Sequence, residues 1–486
     1  MFLDYLNIMC GFSIHKRIIL FDSRGILSDE IILEIKNKYR YELIYYDDIE
    51  KFRNKYEKEI KKKDKRYLVV IKYDTYLPYD IRENFHCQKI EYSILFSKLN
   101  PYALEKAFLL DINLLFIAHE NLYRSSQTEE ETKKFLSEDI YYFENVKEYS
   151  EYLINEIKIL LEDDNHKSWI GISLMYAKLE YIRYKSKNDF YDENFINEIQ
   201  MKFKNFILTK YSGLSSLSSY HSPVLLNKTM SYIFRNSKKP AIIVMDGMSI
   251  RDWLIISEEL KDIKYKYNST YAIIPTITSI SRQSLLSSRL PIEINKPFSL
   301  TDERSMFIDN SKENGYLEEE IQYYRGYDFE VGYRDKCICV IINDIDDLVH
   351  SQKQGNAGMY NDIKLLSQSG KIYNLIKMLS SKGFDVFIGS DHGHKETITI
   401  GTPRGTGIEV ETKSKRTVIL KDFGDYQKFI DDFKMIEYPK YYLPKEFNYL
   451  ICEHNQSLGI GENEIISHGG ISIEEVIVPF IKIEVV

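Results

Sequence analysis

Phe384-Asp385-Val386-Phe387-Ile388-Gly389-Ser390-Asp391-His392-Gly393 is the stretch on which the fold turns. Its first half is a short run of aromatic and β-branched side chains, the pattern of a buried strand, and Ser-Asp-His-Gly ends it. In an open α/β sheet, ligands bind in the crevice beyond the carboxyl ends of the strands. A carboxylate and an imidazole side by side at such an end, Asp391 and His392, are placed for a cation rather than for a core.

Three more segments of the same half repeat the pattern. Pro240 to Met245 is a second buried-strand run; it ends in Asp246-Gly247, with Ser249 placed to cap a helix through Trp253, Leu254 and Leu260. Tyr271 to Ser279 reads as a strand that delivers hydroxyls to a turn, with a helix opening at Ser281-Arg282-Gln283. Cys337 to Asn343 reads as a further strand running into Asp344-Ile345-Asp346-Asp347-Leu348-Val349-His350, where Asp346 and His350 share one helical face. Ser467-His468-Gly469-Gly470 then precedes a closing strand from Glu475 to Phe480. The helix before Phe384 places Ile372, Leu375, Ile376 and Leu379 at helical spacing, so it packs on the sheet.

Three aspartates, three histidines and a threonine at element ends suit two divalent ions better than one. Two ions roughly 3.5–4 Å apart clamp the attacking and leaving oxygens of an in-line displacement. Oxygen and nitrogen ligands without a thiolate suit zinc or manganese. A hydroxyl beside such ions becomes a usable nucleophile.

Taken in order, Asp246-Gly247, Pro275-Thr276-Ile277-Thr278-Ser279-Ile280-Ser281-Arg282, Asn343-Asp344-Ile345-Asp346 with His350, Ser390-Asp391-His392-Gly393 and His468-Gly469-Gly470-Ile471-Ser472 resemble the PglZ domain. That domain belongs to the alkaline phosphatase superfamily and occurs in BREX phage-defence systems and as an output domain of response regulators. The resemblance covers residues from about 235 to 486. It implies an α/β catalytic domain, a mostly parallel sheet flanked by helices. It also implies two divalent metal ions, zinc or manganese. Asp246, Asp391 and His392 would hold one together with the nucleophile Thr278; Asp346, His350 and His468 would hold the other. Thr278 stands at the matching distance before Leu285 to Pro291, and Thr276 and Ser279 remain the alternatives. Arg282 and His394 are candidates for contacting a substrate phosphate. The implied function is a metal-dependent phosphodiesterase acting on nucleotide or oligonucleotide phosphodiesters in phage defence or nucleotide signalling, with other defence-system subunits as partners. A non-catalytic scaffold subunit is the reading from another class, and a phosphomonoesterase or phosphomutase is the third, because a fold does not fix a chemistry.

Each motif alone has a plainer reading. Asp246-Gly247 is a common turn, Asp346 and His350 make a solvated helical face, and Thr276 to Ser281 is rich in capping residues. His454 reads as a loop histidine, while Cys337 and Cys339 read as small buried hydrophobes.

Composition bounds the rest. The chain of 486 residues is too long for one core. Its net charge of -8 argues against bulk duplex binding, which depends on neutralising phosphates. The basic run Lys61 to Arg66 reads as a solvated loop. Five cysteines without framework spacing and no run of 18 apolar residues predict a cytoplasmic protein with no membrane segment.

Three regions follow. Residues 1–127 read as a small N-terminal α/β domain with strands at Arg17 to Asp22, Tyr41 to Tyr46 and Tyr67 to Ile71, and a fourth at Asn113 to Ile117. A working phospho-receiver is not expected, since Asp22 has no acidic neighbour and no lysine follows Ile117. Residues 128–234 read as helical, with Glu129 to Leu161, Ser168 to Lys185 and Asp192 to Leu208 as helices. Ser212 to Ser219 is the linker candidate. Residues 235–486 form the catalytic half.

Overall fold

The computed structural model describes residues 1–484 except 47, 62–63, 74, 124–126, 403–407, 411–413 and 422–425. Lys62 and Lys63 of the basic run thus lie outside the described residues. The chain divides into two compact units, Met1–Tyr149 and Ser150–Val486.

In the second unit six strands make one sheet: β1 (Pro240–Met245), β2 (Tyr265–Tyr271), β3 (Ile321–Arg325), β4 (Cys337–Ile342), β5 (Asp385–Gly389) and β6 (Ile477–Ile483). Their order is β2-β6-β5-β1-β4-β3. The inner strands β1, β4 and β5 are parallel and almost wholly buried, as their unbroken apolar runs require. β6 alone runs against its neighbours β2 and β5. Its start therefore lies at the same sheet edge as the ends of the other five. That places residues following β1, β2, β4 and β5, and residues preceding β6, along one crevice.

Helices α1 (His166–Ser186) and α2 (Glu193–Thr209) precede the sheet. Within the sheet region follow α3 (Ile250–Ser257), α4 (Thr278–Ser287), α5 (Glu303–Glu313), α6 (Asp344–Ser351), α7 (Gly355–Gln368) and α8 (Lys371–Ser381). Ser249 caps α3 in a capping box with Asp252. The α8 residues Ile372, Leu375, Ile376 and Leu379 are buried, as their spacing predicts. The Ser/Gly-rich residues from Ser212 begin inside a 3-10 turn, Tyr211–Ser216, with Tyr211 and Leu214 buried. Between β5 and β6 the chain builds a three-stranded sheet from Lys395–Thr399, Gln456–Ser457 and Glu464–Ser467. It also builds an antiparallel sheet from Ile408–Val410, Thr417–Leu420, Asn448–Ile451 and Ile436–Glu437.

One strand boundary differs from expectation. β2 is the polar-alternating Tyr265–Tyr271, and the apolar run that follows it is a buried connection into α4. The Ala272 amide still pairs with Val476, but Pro275 has no N–H to continue a ladder. The helix opens at Thr278, three residues before the predicted start.

The first unit is a four-stranded parallel sheet in the order Glu42–Tyr45, Tyr67–Ile71, Arg17–Phe21, His86–Lys89. Three of these strands were legible in the sequence. Asn113 to Ile117 is instead part of a helix, Ile112–Glu120, whose start is fixed by Asp111 accepting from the Asn113 amide at 2.7 Å. Asp22, fully buried, accepts from the Ile26 and Leu27 amides and so braces the turn after its strand.

Candidate active site

At the crevice, two triads of ligand atoms assemble: Asp246, Asp391 and His392, and Asp346, His350 and His468, with ligand atoms in each set within 4.8 Å of one another. Asp246 follows β1, Asp391 and His392 follow β5, Asp346 and His350 lie on α6 one turn apart, and His468 precedes β6. Gly247 permits the tight turn after Asp246: its φ is 76°, in the left-handed region that favours glycine.

Hydrogen bonding leaves one atom of each group aimed inward. Asp391 Oδ1 accepts from the Gly247 amide at 3.1 Å and from the His392 amide at 3.0 Å, while its Oδ2 has no partner. Asp246 Oδ2 is held by Arg282 Nη1, while its Oδ1 is unpartnered 3.7 Å from His392 Nε2. Asp346 Oδ1 lies 3.4 Å from His350 Nε2 and 3.6 Å from His468 Nε2. A carbonyl can only accept, so His392 Nδ1 carries its proton to Gly393 O at 3.0 Å, and His468 Nδ1 does the same to Thr276 O at 2.9 Å. Both rings therefore present a bare Nε2, the arrangement that metal-ligating histidines use. The two rings stack with centroids 4.2 Å apart. Buried, unpaired acceptors are costly to leave unmet, and these converge; the residues present fit a pair of divalent cations.

The electrostatics agree. Burial, reinforced by the Asp391 charge and opposed by Arg282, pushes the Asp246 carboxyl well above its usual range. Burial and the neighbouring His392 hold His468 down at about 3, although Asp346 opposes. Burial raises Asp346, but the neighbouring imidazoles, His350 at 3.4 Å first among them, outweigh it and keep that carboxyl low. Crowded carboxylates and neutral imidazoles make a site that a cation completes.

The hydroxyls separate clearly. Thr278, half-buried at the first position of α4, places Oγ1 3.0 Å from His392 Nε2. Thr276 is fully buried; its hydroxyl donates to Gly470 O at 3.1 Å and accepts the Gly469 amide at 2.9 Å. Ser279 is half-buried one residue further along α4.

Two sequence candidates lie elsewhere. Arg282 is 1% exposed and points beneath the site, to Asp246 and to Glu303 at 3.1 Å, with Asp391 at 4.0 Å. Its Nε and Nη1 both meet protein carboxylates, so these two donors hold Glu303 and Asp246. His394 is buried too, bonded to Gly247 O at 3.0 Å and to Arg251 at 3.2 Å. It lines a cavity of about 300 Å³ with Tyr176, Arg251, Lys395, His454 and Glu474, which none of the metal-facing side chains lines. Glu303 was missed from sequence; a glutamate at the start of a helix carries no signal that it will meet an arginine 21 residues earlier.

A family model described as the BREX system PglZ alkaline phosphatase-like domain matches residues 225–483. No curated protein matches the chain. Among solved structures, murine ectonucleotide pyrophosphatase/phosphodiesterase 5 is similar at 13% identity and a TM-score of 0.33, over 50% of this chain and 87% of that one. Its human counterpart aligns at 12% identity and a TM-score of 0.33, over 50% and 87%. Phosphonoacetate hydrolase from Sinorhizobium meliloti 1021 aligns at 11% identity and a TM-score of 0.33, over 50% and 90%. Among the described residues, no helix is long and apolar enough to cross a membrane.

Proposed function

The chain belongs to the PglZ family, and we propose that it is a metal-dependent phosphodiesterase acting on nucleotide or oligonucleotide phosphodiesters, with Thr278 as nucleophile. The observation that carries this reading is the meeting of two ligand triads beside the half-buried Thr278 hydroxyl, 3.0 Å from His392 Nε2. Two divalent ions, zinc or manganese, held by Asp246, Asp391 and His392 with Thr278 and by Asp346, His350 and His468, would supply positive charge that acidifies a hydroxyl and stabilises a pentacoordinate phosphorus.

The protein's own groups account for the rest. Thr278 stands at the N-terminus of α4, where the helix dipole favours negative charge on the attacking oxygen and on the phosphoryl group. Its Oγ gives up its proton to solvent and forms the new bond to phosphorus as the leaving alkoxide departs with the electrons of the broken P–O bond and takes a proton from water. Water then attacks the phosphothreonine, releases the phosphomonoester and restores the hydroxyl. Thr276 is set aside for this role by its two backbone bonds, which tie the His468 loop instead. Arg282 fixes Asp246 from below and leaves its free oxygen for the ion. The family's BREX description supports a place in phage defence.

The test is Thr278→Ala. It removes the attacking oxygen together with one methyl, so bis-p-nitrophenyl phosphate and dinucleotide turnover should fall in kcat by at least about 10³-fold with little change in KM. Circular dichroism should match the parent, and most of the metal should stay bound through Asp246, Asp391 and His392. Undiminished turnover would refute the covalent role. A parent that binds both ions yet turns over no diester or monoester would favour the scaffold reading.

A further inference from the structure

After Asp391 and His392 the chain leaves the central sheet and returns to it only at His468 and β6. Within the intervening antiparallel sheet, three side chains around the start of Thr417–Leu420 turn onto the loop that carries His468. Ser414 Oγ donates to the His468 carbonyl at 2.7 Å, and Thr417 Oγ1 donates to the Gly469 carbonyl. Arg416, fully buried, pairs with the equally buried Glu475. The remaining donors of Arg416 reach Ser472 Oγ at 3.0 Å, Glu453 O at 2.7 Å and Gln456 O at 3.0 Å. Glu475 completes the net: its Oε1 accepts the Gly470 amide at 2.9 Å and its Oε2 the Ser472 amide at 3.2 Å. A Cβ at Gly470 would stand 2.6 Å from the Arg416 guanidinium carbon, so a side chain there would displace the fork.

A buried ion pair is weak evidence for net stability, since a well-packed apolar pair often does as well. A planar fork that joins Glu475 and Ser472, just after the His468 loop, to the Glu453 and Gln456 carbonyls does something an apolar pair cannot: it fixes orientation. From the other side Thr276 holds the same loop, through Gly469, Gly470 and His468 Nδ1. We infer that Ser414, Arg416 and Thr417 are positioning residues for His468: they set the direction of its Nε2 toward Asp346 and thereby the metal affinity of the Asp346–His350–His468 position. The Asp246–Asp391–His392 position does not depend on them. This inference rests on the two-metal reading above. Partners outside the ligand sphere typically change metal affinity by about 10–100-fold.

The experiment titrates metal-free protein with Zn²⁺ by calorimetry and with Co²⁺ by its visible absorption. The main variant is the double substitution Ser414→Ala/Thr417→Val, which leaves no buried charge unpaired. Arg416→Lys, which keeps the charge and loses the fork, is the second. The double variant should keep the parent's circular dichroism and its first-ion affinity. Its second-ion affinity should fall by about 10–100-fold, and the Co²⁺ spectrum of that ion should change. The same loss should appear in an Asp391→Asn background, where only the Asp346 position is read. Unchanged second-ion affinity, or equal weakening at both positions, overturns the inference. A parent that binds fewer than two ions overturns the metal reading itself, and the inference with it.

Discussion

Arg282→Met is the perturbation that tests how the site is held before any ion arrives. The guanidinium is 1% exposed and compensates Asp246 and Glu303 directly and Asp391 at 4.0 Å. Met keeps most of the volume and removes the charge. Glu303 retains the Tyr323 hydroxyl and Arg325 at 3.5 Å, so the loss falls on Asp246 and Asp391. Removing one partner of a buried pair costs about 3–5 kcal/mol. For a cooperative unit the size of Ser150–Val486, that is about 4–7 °C in Tm. The assay is differential scanning calorimetry of parent and variant, in chelator and in saturating zinc. In chelator the full deficit should appear. In zinc it should shrink, because a divalent cation between Asp246 and Asp391 replaces the missing charge and binding favours the folded state. Equal Tm values in chelator would refute the claim that Arg282 compensates these carboxylates. A deficit that zinc does not reduce would refute the claim that the ion sits there.

Chelation of the parent should lower Tm and abolish diester turnover, and zinc or manganese should restore both; turnover that survives complete metal removal counts against the two-ion reading. His350 is the most exposed ligand, so His350→Ala should cost one ion per chain by atomic absorption, against two for the parent, without loss of fold. His454 is held down at about 4, first by burial and then by the Lys395 charge. An unfolded histidine titrates near 6.5, so between about pH 6.5 and 4 the unfolded chain takes up a proton that the folded chain refuses, and stability falls as pH drops. In His454→Gln the denaturant midpoint should decline less over that window; parallel pH profiles for parent and variant would sink the assignment.

Much of the PglZ half was legible because its candidate site residues sit at strand ends. Asp246, Asp391 and the Asp346–His350 pair each terminate or follow an apolar run, and such runs specify parallel strands by burial alone. Their order along the chain was enough for the family and the fold class. Local pattern failed where burial looks the same in two geometries. Asn113 to Ile117 is apolar enough for a strand, yet it lies in a helix that Asp111 caps through the Asn113 amide. Ala272 to Ile274 is likewise apolar, yet the ladder belongs to the polar Tyr265–Tyr271 beside it, because pairing with β6 is decided by a strand more than 200 residues away.

The sequence by itself determined which residue types stand at the sheet edge, since strand burial and turn chemistry are local. Only the tertiary structure decided what each does there. Thr276 and Thr278 are two residues apart and chemically identical, and the return of Gly469 and Gly470 ties up the first and leaves the second open beside His392. Arg282 is a candidate phosphate contact in the chain but lies beneath Asp246, and Arg416 acquires its meaning only from Glu475. Hydrogen bonds and ion pairs form between groups that folding brings together, and their partners are set by topology rather than by neighbours in the chain.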